Sequence, residues 1–95
     1  MLTDMEAYQL GVLFGMNSQQ VNQALAYFNE VRKDPSWSNV RLDKGLLIDC
    51  LYLVGKRNQT GITVKKVINI TTSMFGYGIK PNPNKWHTSY MHLLV

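Results

Sequence analysis

Leu10-Gly11-Val12-Leu13-Phe14-Gly15-Met16-Asn17-Ser18-Gln19-Gln20-Val21-Asn22-Gln23-Ala24-Leu25 reads as two short helices joined by one tight glycine turn. Gly11 has no side chain to hold two crossing helices apart, and Phe14 closes the first of them. Gly15 tolerates a positive φ at its end, and Val21 and Leu25 point back to a core. The residues left facing outward are Ser18, Gln19, Gln20, Asn22 and Gln23.

This pattern, spanning residues 7–26, resembles the helix-turn-helix unit of phage repressor-type proteins. The resemblance implies double-stranded DNA as partner, with Ser18, Gln19, Gln20, Asn22 and Gln23 at base edges. Gln and Asn suit that role because a carboxamide offers one acceptor and one donor to adenine N6 and N7. The same residues also read as a plain αα-hairpin with a polar outer face.

The 95 residues around this stretch make one domain, 1–95. With 45% hydrophobic and 17% charged residues the composition is that of a globular chain, with room for a homodimer. Cys50 is the single cysteine, so no disulfide framework forms within the chain. Its setting in Leu46-Leu47-Ile48-Asp49-Cys50-Leu51 predicts a buried, inert thiol. No apolar run approaches the roughly 20 residues of a membrane span, and Asp4 and Glu6 are unlike a signal sequence. The expected location is cytoplasmic, without a membrane partner.

Charge is uneven. Residues 1–31 hold Asp4, Glu6 and Glu30 with no Lys or Arg, a net −3, whereas residues 32–95 hold ten basic and three acidic residues, a net +7. After Asp49 there is no acidic side chain. Lys56, Arg57, Lys65, Lys66, Lys80 and Lys85 are therefore the candidate phosphate contacts. The acidic first half argues against the hairpin acting on DNA alone.

The element order reads as all-α, a compact bundle of about five short helices. Thr3-x-x-Glu6 opens a helix over about 4–14 as a capping box, with Ala7, Leu10 and Phe14 on one face and Tyr8 and Val12 flanking. Asn17 or Ser18 caps a second helix over about 18–33, where Val21, Ala24, Leu25, Phe28 and Val31 keep the i, i+3, i+4 rhythm. Asp34-Pro35-Ser36 ends it, and Trp37 lies in the connection. A third, centrally buried helix covers about 42–57, with Gly45 and Gly55 as soft ends. Either a small β-wing near 56–64 or a plain interhelical loop follows. For 62–75 the periodicities compete: Val64, Val67, Ile68, Thr71 and Phe75 keep helical spacing, whereas β-branched Ile62, Val64, Ile68 and Ile70 suit a strand. A helix over about 64–75 is expected. Trp86, Tyr90, Leu93 and Leu94 form one face of a closing helix, and no segment repeats another.

Trp37, Leu46-Leu47-Ile48, Leu51, Gly55, Gly61, Val64-Lys65-Lys66-Val67 and Phe75-Gly76, ending in an aromatic helix, resemble the C-terminal region of the RteC family. The likeness covers about residues 37–94, and the Pro-Asn-Pro segment after Gly78 departs from it. It implies a winged-helix-like DNA-binding module and a role in gene expression or DNA processing on a mobile element. It assigns no individual residue.

Enzymatic chemistry is not expected. His87 and His92 project about 140° apart on a helix and cannot hold one metal from one face. Asp4, Glu6, Asp34 and Asp43 stand at helix starts or turns, and Glu30 and Asp49 show no paired acid/base spacing. Gly76-Tyr77-Gly78 lacks the third glycine of a phosphate loop. No cofactor, metal or small-molecule substrate is expected. Phe75, Tyr77, Trp86 and Tyr90 interleave with Lys80 and Lys85, which suits single-strand stacking or, more simply, core packing. The leading expectation is a small DNA-binding regulator of phage or mobile-element type. The rival is a protein-interaction module, inhibitor or adaptor, whose acidic first half meets a basic protein partner.

Overall fold

A computed structural model describes residues 4–33 and 43–82, which form four helices and no strand. They are α1 (Asp4–Leu13), α2 (Ser18–Arg32), α3 (Asp43–Arg57) and α4 (Val64–Phe75). Thr3, Trp37, His87, His92 and the expected closing helix at 86–94 lie outside the described residues.

α1 stops because Gly15 takes φ 81°, which turns the chain back over its last turn. Met16 N–H donates to the Gly11 carbonyl at 2.8 Å and Gly15 N–H to the Val12 carbonyl at 3.0 Å. These paired bonds are a Schellman closure, satisfying carbonyls that a helix end leaves open. α2 then starts on a reciprocal cap. Gln20 N–H donates to Asn17 Oδ1 at 2.8 Å, and Asn17 N–H donates to Gln20 Oε1 at 3.0 Å.

The end of α3 repeats this geometry without repeating the sequence. Thr60 N–H donates to the Gly55 carbonyl at 3.1 Å and Gln59 N–H to the Lys56 carbonyl at 3.2 Å, with Gln59 at φ 55°. Thr63 Oγ1 accepts from Lys66 N–H at 3.1 Å and so caps α4. The expected β-wing near 56–64 is therefore absent from these described residues. Lys56 and Arg57 complete α3, and only residues 58–63 remain between one closure and the next cap. Gly55 is likewise not a soft end. It is buried in the last turn of α3, where an added Cβ would lie 2.9 Å from Ile62 Cγ2.

α4 is a helix despite its β-branched residues. Thr71, fully buried, donates its hydroxyl to the Val67 carbonyl at 2.8 Å and accepts from Ile79 N–H at 2.8 Å. The branched polar side chain is thus satisfied inside the core. Gly76 at φ 81° then reverses the chain. Asn82 N–H donates to Asp49 Oδ1 at 2.8 Å, and Lys44 Nζ sits 4.5 Å from the Phe75 ring centre, so this return ties α4 to α3.

α2 packs mainly on α3, and α1 crosses α2. Ala7, Leu10 and Phe14 meet Val21, Ala24, Phe28 and Val31, and the α3 residues Leu46, Leu47, Ile48, Leu51 and Val54 complete the core with Ile62 and Val67. Burial of each large aliphatic or aromatic side chain contributes about 1.5–3 kcal/mol. Tyr27 joins this core, whereas Leu25 is only half-buried. Val12 departs from its expected flanking place and stands 72% exposed.

Candidate nucleic-acid interface

The two interhelical turns touch. A Cβ added to Gly15 would lie 3.2 Å from the Thr60 carbonyl oxygen, so the α1–α2 turn packs against the α3–α4 connection. Ser18 and Gln19 open α2 just beyond Gly15; Lys56 and Arg57 close α3 just before Thr60; Lys65 and Lys66 lie in the first turn of α4 just after it. One end of the bundle thus collects the start of the amide-rich helix and four cations.

Among the described residues, Glu6, Glu30 and Asp49 stand away from that end. Glu6 precedes Gly15 by nine residues and Glu30 follows Ser18 by twelve, about 13 and 18 Å along their helices at 1.5 Å per residue. Asp49 lies eight residues before Arg57, about 12 Å up α3. Glu30 is held by Lys33 at 2.9 Å, and Asp49 by the Asn82 amide. No acidic residue occurs between Ala7 and Asn29 or after Asp49. The acids of residues 1–31 are therefore set back from the turn end along α1 and α2.

Among the described residues, Lys56, Arg57, Lys65 and Lys66 form no ion pair. Lys56, Arg57 and Lys65 are exposed and Lys66 is half-buried, while Lys56 Nζ lies 5.8 Å from the Tyr52 ring centre. Lys80 is exposed but stands on the return after α4, next to Ile79, whose amide is bonded one turn inside that helix. It is not part of the turn-end group, and Lys85 lies outside the described residues.

The five amide and hydroxyl candidates on α2 divide into two sets. Ser18, Gln19 and Gln23 are exposed, with no side-chain bond among the described residues. Gln20 is half-buried on the core side of the helix, its carboxamide oxygen turned back onto the Asn17 amide. It does not share the outward face expected for it, because its position three residues after the cap makes it the partner in the capping box. The spacing Asn17-x-x-Gln20 carries that signal. Asn22 is exposed, yet its Oδ1 accepts from the Tyr8 hydroxyl of α1.

Beside the expected Lys65, α4 adds Asn69, Thr72 and Ser73, which the sequence did not single out. Lys65, Asn69, Thr72 and Ser73 are all exposed, and the Asn69 and Ser73 side chains form no hydrogen bond among the described residues. Their signal was the complement of the apolar stripe through Val64, Val67, Ile68 and Thr71. Of the aromatic set, Phe75 is half-buried and Tyr77 exposed, their ring centres 6.2 Å apart; Trp86 and Tyr90 lie outside the described residues.

Cys50 is fully buried, and burial, with a smaller contribution from the Asp49 carboxylate, pushes its thiol well above the ordinary value. Among the described residues no three His, Cys, Asp or Glu side chains are grouped to hold a metal, and no helix is long and apolar enough to cross a membrane. Comparison with family models, with curated proteins and with solved structures finds no match to this chain.

Proposed function

We propose that this chain is a small regulator that binds double-stranded DNA through the end of the bundle where its two turns meet. The observation that carries the reading is the Gly15–Thr60 contact. It supports a surface on which Lys56, Arg57, Lys65 and Lys66 meet phosphates while Ser18, Gln19 and Gln23 face base edges. Gln20 and Asn22 serve this surface indirectly, the first by capping α2 and the second by fixing α2 to Tyr8 of α1. A helix-turn-helix role for residues 7–26 and an origin in a phage or mobile element belong to the same proposal. Titration of a labelled mixed-sequence duplex at several salt concentrations tests it. Salt-sensitive binding supports the proposal, and no binding at low salt rejects it.

One observation favours the second reading, a protein-interaction module. On the outer side of α1, Met5, Val12 and Leu13 are 71%, 72% and 48% exposed, and a helix with apolar residues outside the core stripe suits a partner surface. Sedimentation of the purified chain alone, over a range of concentration, separates a homodimer from a monomer that needs another protein.

A further inference from the structure

We infer that α4 is a base-reading helix, with Asn69 as its adenine-contacting residue and Lys65 and Ser73 beside it. The inference rests on the duplex-binding reading and adds a specificity-determining residue to it.

The face is defined by helical geometry. At 3.6 residues per turn Asn69 stands about 40° from Lys65, Thr72 about 20° to the other side, and Ser73 about 80° away. All four are exposed, while Val67 and Thr71 on the far side of the helix are fully buried. The exposed arc is polar throughout and contains no carboxylate. It begins at the turn end, since Lys65 is two residues beyond the Thr63 cap and Thr63 follows the Thr60 contact with Gly15.

Chemistry distinguishes Asn69 from Gln20 and Asn22 of α2, whereas Gln19 and Gln23 are unbonded like it among the described residues. Reading adenine with a carboxamide needs the oxygen to accept from N6 and the amide nitrogen to donate to N7. On α2 the carboxamide oxygens of Gln20 and Asn22 already accept hydrogen bonds inside the protein. Asn69 has both groups free among the described residues. Its short side chain also loses less rotamer freedom than the glutamines of α2 on being fixed. A cation stands one turn before Asn69, whereas α2 has none before Arg32. An α-helix with these features on one arc fits the major groove, where Lys65 meets the backbone and Asn69 the base edges.

The test is selection of preferred sites from a randomised duplex pool with the parent chain, followed by titration of the selected and a scrambled duplex with Asn69→Ala and with Gln19→Ala/Gln23→Ala. The expected result is that Asn69→Ala lowers the preference for the selected duplex by roughly 5- to 150-fold, the equivalent of one bidentate pair. Affinity for the scrambled duplex should stay within about twofold, because the phosphate contacts are kept. Asn69→Asp, which sets a charge against the base edges, should abolish the preference as well. Thermal melting of each variant checks that the fold is kept, and Asn69→Ser serves if Asn69→Ala does not fold. Preference unchanged in Asn69→Ala, or a parent chain that binds every duplex alike, overturns the inference while leaving duplex binding intact. A parent chain that binds no duplex overturns both.

Discussion

Gly11 and Val21 mark the crossing of α1 over α2: a Cβ on Gly11 would lie 2.2 Å from Val21 Cγ2, a separation that real side chains do not adopt. The helix axes can approach this closely only because residue 11 has no side chain. Replacement by alanine ordinarily favours a helix by about 1 kcal/mol, but here overpacking should outweigh it. Gly11→Ala is expected to destabilise the fold by about 1–2 kcal/mol, measured by urea unfolding. Gly11→Ala/Val21→Ala should cost less than the sum of the two single changes, because the removed methyls leave room for the new one. A stabilised Gly11→Ala would show that the crossing is looser.

The two helix closures predict opposite responses. Gly15 combines φ 81° with the nearby Thr60 carbonyl, so Gly15→Val should lose at least about 1–2 kcal/mol. Gln59 adopts φ 55° in the same place at the end of α3, and there glycine removes the strain. Gln59→Gly should stabilise the fold by up to about 1 kcal/mol, the cost of a left-handed residue less the entropy that glycine brings to the unfolded chain. Equal effects of either sign at the two sites would contradict the shared geometry.

Neighbouring glutamines on α2 should separate structure from recognition. Gln20→Ala removes half of the capping box and is expected to lower stability by about 0.5–1 kcal/mol. Gln19→Ala, at an exposed and unbonded position, should change stability by less than about 0.5 kcal/mol. Thermal melts of the two variants side by side decide the matter, and a reversed order would return Gln20 to the outward face.

Cys50 gives a pH dependence of known sign. Burial first, and the Asp49 carboxylate second, raise the folded-state pKa of its thiol above the ordinary 9.0. The folded state therefore keeps the proton when the unfolded state has lost it. Its contribution is fully present below the unfolded pKa and is lost as pH rises from there through the folded value. The slope is up to about 1.4 kcal/mol per pH unit in that window. Cys50→Ala should remove this contribution to the slope, although the cavity lowers stability at every pH. A thiol reagent should react with the native chain only as fast as it unfolds.

Much of the fold was legible in the sequence because burial leaves a period. Val21, Ala24, Phe28 and Val31 recur at helical spacing, and all four are in the core. Gly15 announces its turn because glycine alone adopts positive φ without strain. The end of α3 was hidden, since Gln59 carries no such signal and its conformation is imposed by the closure onto Gly55 and Lys56. The helix over 64–75 was ambiguous for a related reason: local propensity favoured a strand, and the Thr63 cap and the doubly bonded Thr71 hydroxyl favour the helix. For the candidate interface, residue types were readable and their arrangement was not. The contact between Gly15 and Thr60 joins residues 45 apart, and no local pattern encodes it.

Contact between the turn end of the bundle and the phosphates of a DNA duplex, as proposed, must show in the salt dependence of duplex affinity. With Lys56, Arg57, Lys65 and Lys66 each in contact, log K against log[salt] should fall with a slope of about −3.6, from about −0.9 per phosphate. Lys65→Ala/Lys66→Ala should bring that slope to about −1.8, while thermal melting verifies that the α4 cap and core survive. Binding that ignores salt, or a double variant whose slope matches the parent's, would contradict the claim.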